Sequence, residues 1–277
     1  MKSLTDGLAE AVFLEREDAI PQDAASDRKF ITALARGFEI LRAFKPGGGP
    51  LGNQELSRVT GIPKATVSRL THTLSELGYL RHLRAEGKYE PTESILALGY
   101  AVLSNMTVRQ IAREPMQEMA LQHRVSVALA SRDRLGMIFV DVCNSRSLST
   151  LHLEIGSRVP MPTTAAGRAF LAGVAEAERA FFYERFEARL GAEEWARLRP
   201  RVADAVAQVR DRGFCLVEDE WHQGMRAVGA PLLSMDGRAV MSMICGAPAF
   251  AVGRETLEAD LGPRLTHLCR SLAPMLR

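Results

Sequence analysis

Five residues within nine positions carry the groups best suited to meeting another molecule: Lys64, Thr66, Ser68, Arg69 and His72. Each is cationic or a short hydrogen-bonding group. None lies on the stripe Val67, Leu70, Leu74 and Leu77, which a helix through this stretch would bury. Groups of this kind near a helix N-terminus suit base edges in a DNA major groove. Gly61 supplies a sharp turn just before, and Pro63 fits the first helical position, where its missing N–H costs nothing. Upstream, Asn53 can cap a shorter helix whose buried side is Leu56 and Val59, and Asn53 and Gln54 are further candidate contacts to DNA.

These groups need a scaffold. Ile31, Leu34, Phe38, Leu41 and Phe44 recur at three- and four-residue spacing, which predicts a helix from about Phe30 with one apolar face. Pro46-Gly47-Gly48-Gly49-Pro50 ends it. Gly78 is a natural left-handed stop for the helix that carries Arg69. Tyr79 to Leu83 and Lys88 to Glu90 then pair as a hairpin, with Arg84 and Lys88 at its tip suited to phosphates. Residues 28–90 hold 11 Lys and Arg against 5 Asp and Glu, a surplus of six positive charges, whereas residues 1–27 hold 2 against 7. The basic footprint therefore coincides with the helix-turn-helix and hairpin, and double-stranded DNA is the expected partner. The competing use of such a module is docking on protein.

The chain of 277 residues is long enough for two domains. The divisions expected are an acidic, poorly ordered tail (1–27), a winged helix-turn-helix domain (28–91), a linker or dimerisation helix (92–106) and a larger domain (107–277). No apolar run reaches membrane-spanning length, and no secretory core stands at the N-terminus. Cys143, Cys215, Cys245 and Cys269 show no CxxC spacing, which argues for a reducing cytoplasm and against a zinc site. No metal or other cofactor is expected. There is no Gly-x-Ser-x-Gly, Walker, dinucleotide or His-Glu-x-x-His motif, so no catalytic residue is assigned and an enzyme is not expected.

Thr92 can cap the linker helix, with Ile95, Leu96, Gly99, Val102 and Leu103 along one side. That side packs either on a second copy or within the chain. Thr107 and Gln110 form a capping box for the next helix, which Pro115 should kink or restart. From Val125 the period changes to that of strands: Val125 to Arg132, Gly136 to Cys143, Ser147 to Leu153, Gly229 to Leu233 and Ala239 to Cys245. Asp236-Gly237 marks a hairpin between the last two. Helical stretches fall at 164–173, 175–187, 193–212 and 258–276. An α+β domain with a mainly antiparallel sheet follows.

The helix-turn-helix, the run from Gly156 through Pro160, Thr163-Thr164-Ala165-Ala166-Gly167 and Ala172, and Arg212-Gly213-Phe214 followed by Glu218-Asp219-Glu220 resemble the IclR family of bacterial transcriptional regulators. The likeness spans about residues 30–275. It implies an all-α winged helix-turn-helix domain, a linker helix and a GAF-like α+β effector domain. It also implies dimers, often paired into tetramers, on a partly palindromic operator, acting as repressor or activator. An effector would sit between the sheet and the loop and helix after Pro160. By alignment with the family motif, positions 243 and 245 face it. Pro162 stands where family members commonly have His, so polar anchoring falls to Thr163, Thr164 or backbone amides.

The residues themselves favour an anion there. Thr163 to Ala166 would lie at a helix N-terminus, whose free N–H groups suit a carboxylate. Met241, Met243 and Cys245 alternate on one face of the last strand, and Phe139 and Met161 can extend that soft, apolar wall. An aromatic acid therefore fits better than a very small keto acid. The bland alternative for this face is a packed core. Glu218 either meets the ligand or pairs with Arg226 to hold its loop. A regulator that senses oxidation through Cys143, Cys215 or Cys245 is the second functional reading.

Overall fold

The computed structural model describes residues 29–145 and 153–276. The expected tail at 1–27 and most of the expected strand Ser147 to Leu153 lie outside them. Contacts divide the chain into two units that meet between Asn105 and Met106.

In the first unit, α1 (Thr32–Arg42), α2 (Asn53–Thr60) and α3 (Lys64–Glu76) close around Ile40, Leu56, Val67 and Leu74. The α1 stripe comes out differently from the expectation: Ile40 and Ala43 are buried, while Ile31, Leu34 and Phe38 stay largely exposed. Asn53 is also corrected as a cap. It is the first residue of α2, the amide of Gly52 before it donates to Glu55 at 2.8 Å, and the Asn53 side chain accepts from Thr71 of α3 at 3.1 Å. Gly61 takes φ +69°, the left-handed turn between α2 and α3. The hairpin β2 (Leu80–Leu83) and β3 (Lys88–Pro91) is joined by a third strand, β1 (Leu51–Gly52), in the order β1-β3-β2. The linker helix α4 (Ser94–Asn105) follows. Thr92 caps it, accepting from the amide of Ser94 at 3.3 Å, and no residue of α4 is buried.

The second unit opens on α5 (Thr107–His123), which runs unbroken through Pro115 and has no side-chain cap, contrary to the box expected of Thr107 and Gln110. The sheet is antiparallel throughout, in the order β6-β5-β4-β9-β8-β7. Its strands are β4 (Ser126–Asp133), β5 (Gly136–Asn144), β6 (Arg158–Pro160), β7 (Cys215–Glu218), β8 (Met225–Leu233) and β9 (Ala239–Pro248). On one face lies α6 (Ala165–Gly173), with α8 (Ala192–Arg212) packed on it and α7 (Glu176–Leu190) on α8. The other face takes α5 and α10 (Gly262–Leu272), which is preceded by a π turn at Leu257–Leu261. Gly229 sets how closely α6 approaches the sheet, since a Cβ there would collide with the carbonyl of Ala165. With both faces covered, the central strands are apolar on both sides.

Candidate functional site

Two regions hold the groups singled out above. In the first unit, Lys64, Ser68, Arg69 and His72 of α3 are exposed, as are Gln54 of α2 and Arg84 in the β2–β3 loop. Thr66 and Lys88 are half-buried, and Lys88 lies 3.9 Å from Glu55. Lys64, Arg69 and Arg84 form no ion pair among the described residues, so their charge is open to a partner. Arg81, by contrast, is neutralised by Glu90 at 2.9 Å and Glu93 at 3.4 Å. Thr66 and Arg69 also edge a groove of about 830 Å³ against α1, walled by Phe38, Leu41, Leu70 and Leu98. Lys64 and Arg69 thus share α3 with an apolar flank.

In the second unit a cavity of about 40 Å³ opens where α6 begins. Thr164, Ala165 and Ala166 form one side, and Phe139, Leu153 and Val159 another. The segment between β7 and β8 covers it with Glu220, Trp221 and His222. Ala227, Ile244 and Gly246 make its floor.

Thr164 caps α6, accepting from the amide of Gly167 at 3.2 Å and donating to the carbonyl of Pro160 at 2.6 Å. Its hydroxyl is therefore already engaged. The amides of Ala165 and Ala166 donate to no acceptor among the described residues, at the positive end of the helix. Thr163 is partly exposed and does not line the cavity, and Met161 is buried behind it.

The expectation for β9 needs a correction of phase. Met241, Met243 and Cys245 do not line this cavity; Ile244 and Gly246 do. Met243 and Cys245 pair with Leu129 and Val127 and face the side of the sheet covered by α5 and α10, where both are fully buried. The wall at the cavity remains apolar, with different residues.

The acidic run folds its own loop. Glu218 bridges Arg226 and Arg254, each at 2.8 Å. Asp219, at φ +57°, accepts from the amide of Gly224 at 2.6 Å. Glu220 takes both terminal nitrogens of the buried Arg168, at 2.7 and 2.5 Å, while the Arg168 Nε donates to the carbonyl of Pro162 at 2.8 Å. Arg168 thereby ties the first turn of α6 to the cover of the cavity. Sequence reading passed over it because a cation inside the sequence Ala-Gly-Arg-Ala looks solvent-facing until its partner is known. Desolvation lowers the pKa of His222, which favours its neutral imidazole.

The comparisons with known proteins bear on the two units as folds. Residues 33–84 match the IclR helix-turn-helix domain, and residues 100–270 match the bacterial transcriptional regulator IclR C-terminal domain. The chain belongs to the IclR family. It is an IclR-family DNA-binding transcriptional regulator. It is 29% identical to the HTH-type transcriptional regulator TsaQ1/TsaQ2 of Comamonas testosteroni over 249 residues, 89% of each chain. The crystal structure of an IclR family transcriptional regulator from Brucella abortus aligns with TM-score 0.83 and 42% identity, covering 91% of this chain and 95% of that one. An IclR homolog from Microbacterium hydrocarbonoxydans, complexed with 4-hydroxybenzoate, shares the IclR fold at TM-score 0.66 and 16% identity, over 87% and 97% of the two chains.

Within this IclR chain, no cluster of His, Cys, Asp or Glu among the described residues could hold a metal ion, and no described helix is long and apolar enough to cross a membrane. All four thiols are buried. Burial pushes Cys215, Cys245 and Cys269 up to about 12, and raises Cys143 with help from Asp141. Protonated, buried thiols are poor nucleophiles, which counts against the redox reading.

Proposed function

We propose that this regulator binds its operator through α3 and the β2–β3 hairpin, and that a small aromatic carboxylic acid at the start of α6 controls the binding. For DNA, α3 enters the major groove with Lys64, Thr66, Ser68, Arg69 and His72, while Gln54, Asn53, Arg84 and Lys88 position it on the backbone. Lys64, Arg69 and Arg84, exposed and without an ion pair among the described residues, support this. The apolar flank of α3 and the exposed Leu96, Leu98, Tyr100 and Val102 of α4 suit a second copy of the chain, as a two-fold operator requires.

For the effector, one observation carries the reading: the two unspent amides of Ala165 and Ala166 belong to residues that line a mainly apolar cavity, with Phe139, Val159, Trp221 and Ile244 among its walls and Thr164, Glu220, His222 and Arg226 as its polar side chains. A carboxylate satisfies the amides, and an aromatic body suits the walls. A protein of this fold has been solved in complex with 4-hydroxybenzoate, which supports the reading. As it stands the cavity has room for a water or two, well short of the roughly 150 Å³ that admits benzene. The acid must therefore bind an enlarged form, and that differential affinity is what can shift a conformational equilibrium.

The test is thermal unfolding against benzoates, hydroxybenzoates, phenylacetates, pyruvate and glyoxylate. An aromatic acid at a hundred times its Kd should stabilise the protein by about 2.7 kcal/mol. The effect should vanish in Ala166→Leu, whose side chain enters the cavity. Stabilisation by pyruvate or glyoxylate alone would overturn the aromatic reading.

A further inference from the structure

A second polar group lies on the cavity side of the sheet. The Ser126 hydroxyl is buried, at 1% exposure, just beyond the residues that line the cavity, and has no hydrogen-bond partner among the described residues. A buried hydroxyl without a partner is costly and calls for an explanation. Its place in the sheet gives one. Ser126 stands between Gly246 of β9, which lines the cavity, and Asn144 of β5, whose amide donates to the carbonyl of Leu153 on the cavity wall at 3.3 Å. It shares its face of β4 with Ala128 and Ala130, which pack in the core cluster with Phe139, Ala165 and Ala166. Among the described residues Ser242 is the other unpartnered hydroxyl on this face, but its strand neighbours Ala130 and Pro231 do not line the cavity, and Gly173 of α6 closes on Pro231 beside it.

We infer that Ser126 sets effector specificity by hydrogen-bonding a hydroxyl at the end of the ligand remote from its carboxylate, so that the effector is a hydroxylated aromatic acid. This rests on the aromatic-acid reading above. The spacing fits. The start of α6 sits over Gly229, and the row Ala227–Gly246–Ser126 lies two residues further along the strands. Two residues along and two strands across make about 12 Å in the plane of the sheet. A benzoate with a para hydroxyl, with a hydrogen bond of about 2.9 Å at each end, spans roughly the same distance. The apolar floor between the two ends, Ile244 and Gly246, offers the ring no competing polar contact.

The experiment is titration calorimetry of wild type and Ser126→Ala with benzoate, 2-hydroxybenzoate and 4-hydroxybenzoate. Wild type should prefer 4-hydroxybenzoate. Ser126→Ala should weaken that acid about ten-fold while leaving benzoate within about two-fold. An equal change for both acids, or none, would overturn the role of Ser126 and leave the aromatic-acid reading intact. Failure of every aromatic acid to bind wild type would overturn both. Alanine already occupies 128 and 130 on the same face, so the variant should fold. If it does not, the wild-type series decides: equal affinity for 2- and 4-hydroxybenzoate would refute a hydroxyl read at the far end.

Discussion

Among single residues, Arg168 is the one whose loss of company should cost most. It is almost fully buried in the first turn of α6, and its charge is met by Glu220. Glu220→Ala leaves a buried guanidinium facing only a carbonyl and should lower unfolding free energy by about 3–5 kcal/mol in a denaturant titration. A loss under about 1 kcal/mol would mean that water reaches the pair freely. Asp141 presents the same problem on the other face of the sheet. Its fully buried carboxylate is held by Arg113 and, at 3.4 Å, by Arg109, both from α5. Arg109 also donates to the carbonyl of Val140 at 3.1 Å. One strand, β5, therefore presents Phe139 to the cavity and Asp141 to the helix that leads back to the linker. Neither pairing was legible in the sequence, since partners 52 and 28 residues apart announce themselves only once the sheet exists.

At the scale of elements, much was legible because periodicity is local. The three-helix reader, its hairpin, the long strands and α6 to α8 fall close to where their patterns put them. The short strands β6 and β7 escaped, as three or four residues are too few to show a period. The phase of β9 failed for a different reason. Alternation identifies a face only when one side is polar, and β9 is buried on both, under α6 on one side and α10 on the other. The exposed stripe of α1 failed likewise: apolar spacing predicts a face to be covered without saying by what. Contact between α6 and β8 depends on a position with no side chain. Gly229→Ala should force the two apart and cost about 1–3 kcal/mol in thermal or denaturant unfolding. A neutral result would show that α6 can retreat without penalty.

For the whole molecule, the charge that matters is not the total. A net charge of +2 conceals an acidic start and a basic reader. Operator affinity should fall steeply with salt, as phosphate contacts release counterions. Arg69→Ala should weaken the operator complex by about 1–3 kcal/mol and spare non-specific DNA if Arg69 reads a base edge. Equal weakening on both DNAs in a gel-shift or anisotropy assay would reassign it to the backbone.

The small cavity at α6 also has a consequence in time. On the aromatic-acid proposal, a site with room for a water or two is filled only after it opens, and not at the rate of encounter. The same proposal makes the segment carrying Trp221, which Arg168 holds through the neighbouring Glu220, the part that gives way. Stopped-flow tryptophan fluorescence should then show binding rates that rise with acid concentration and level off at the rate of opening. The regulator would answer a sudden rise in effector at a pace set by its own loop, however much acid the cell supplies.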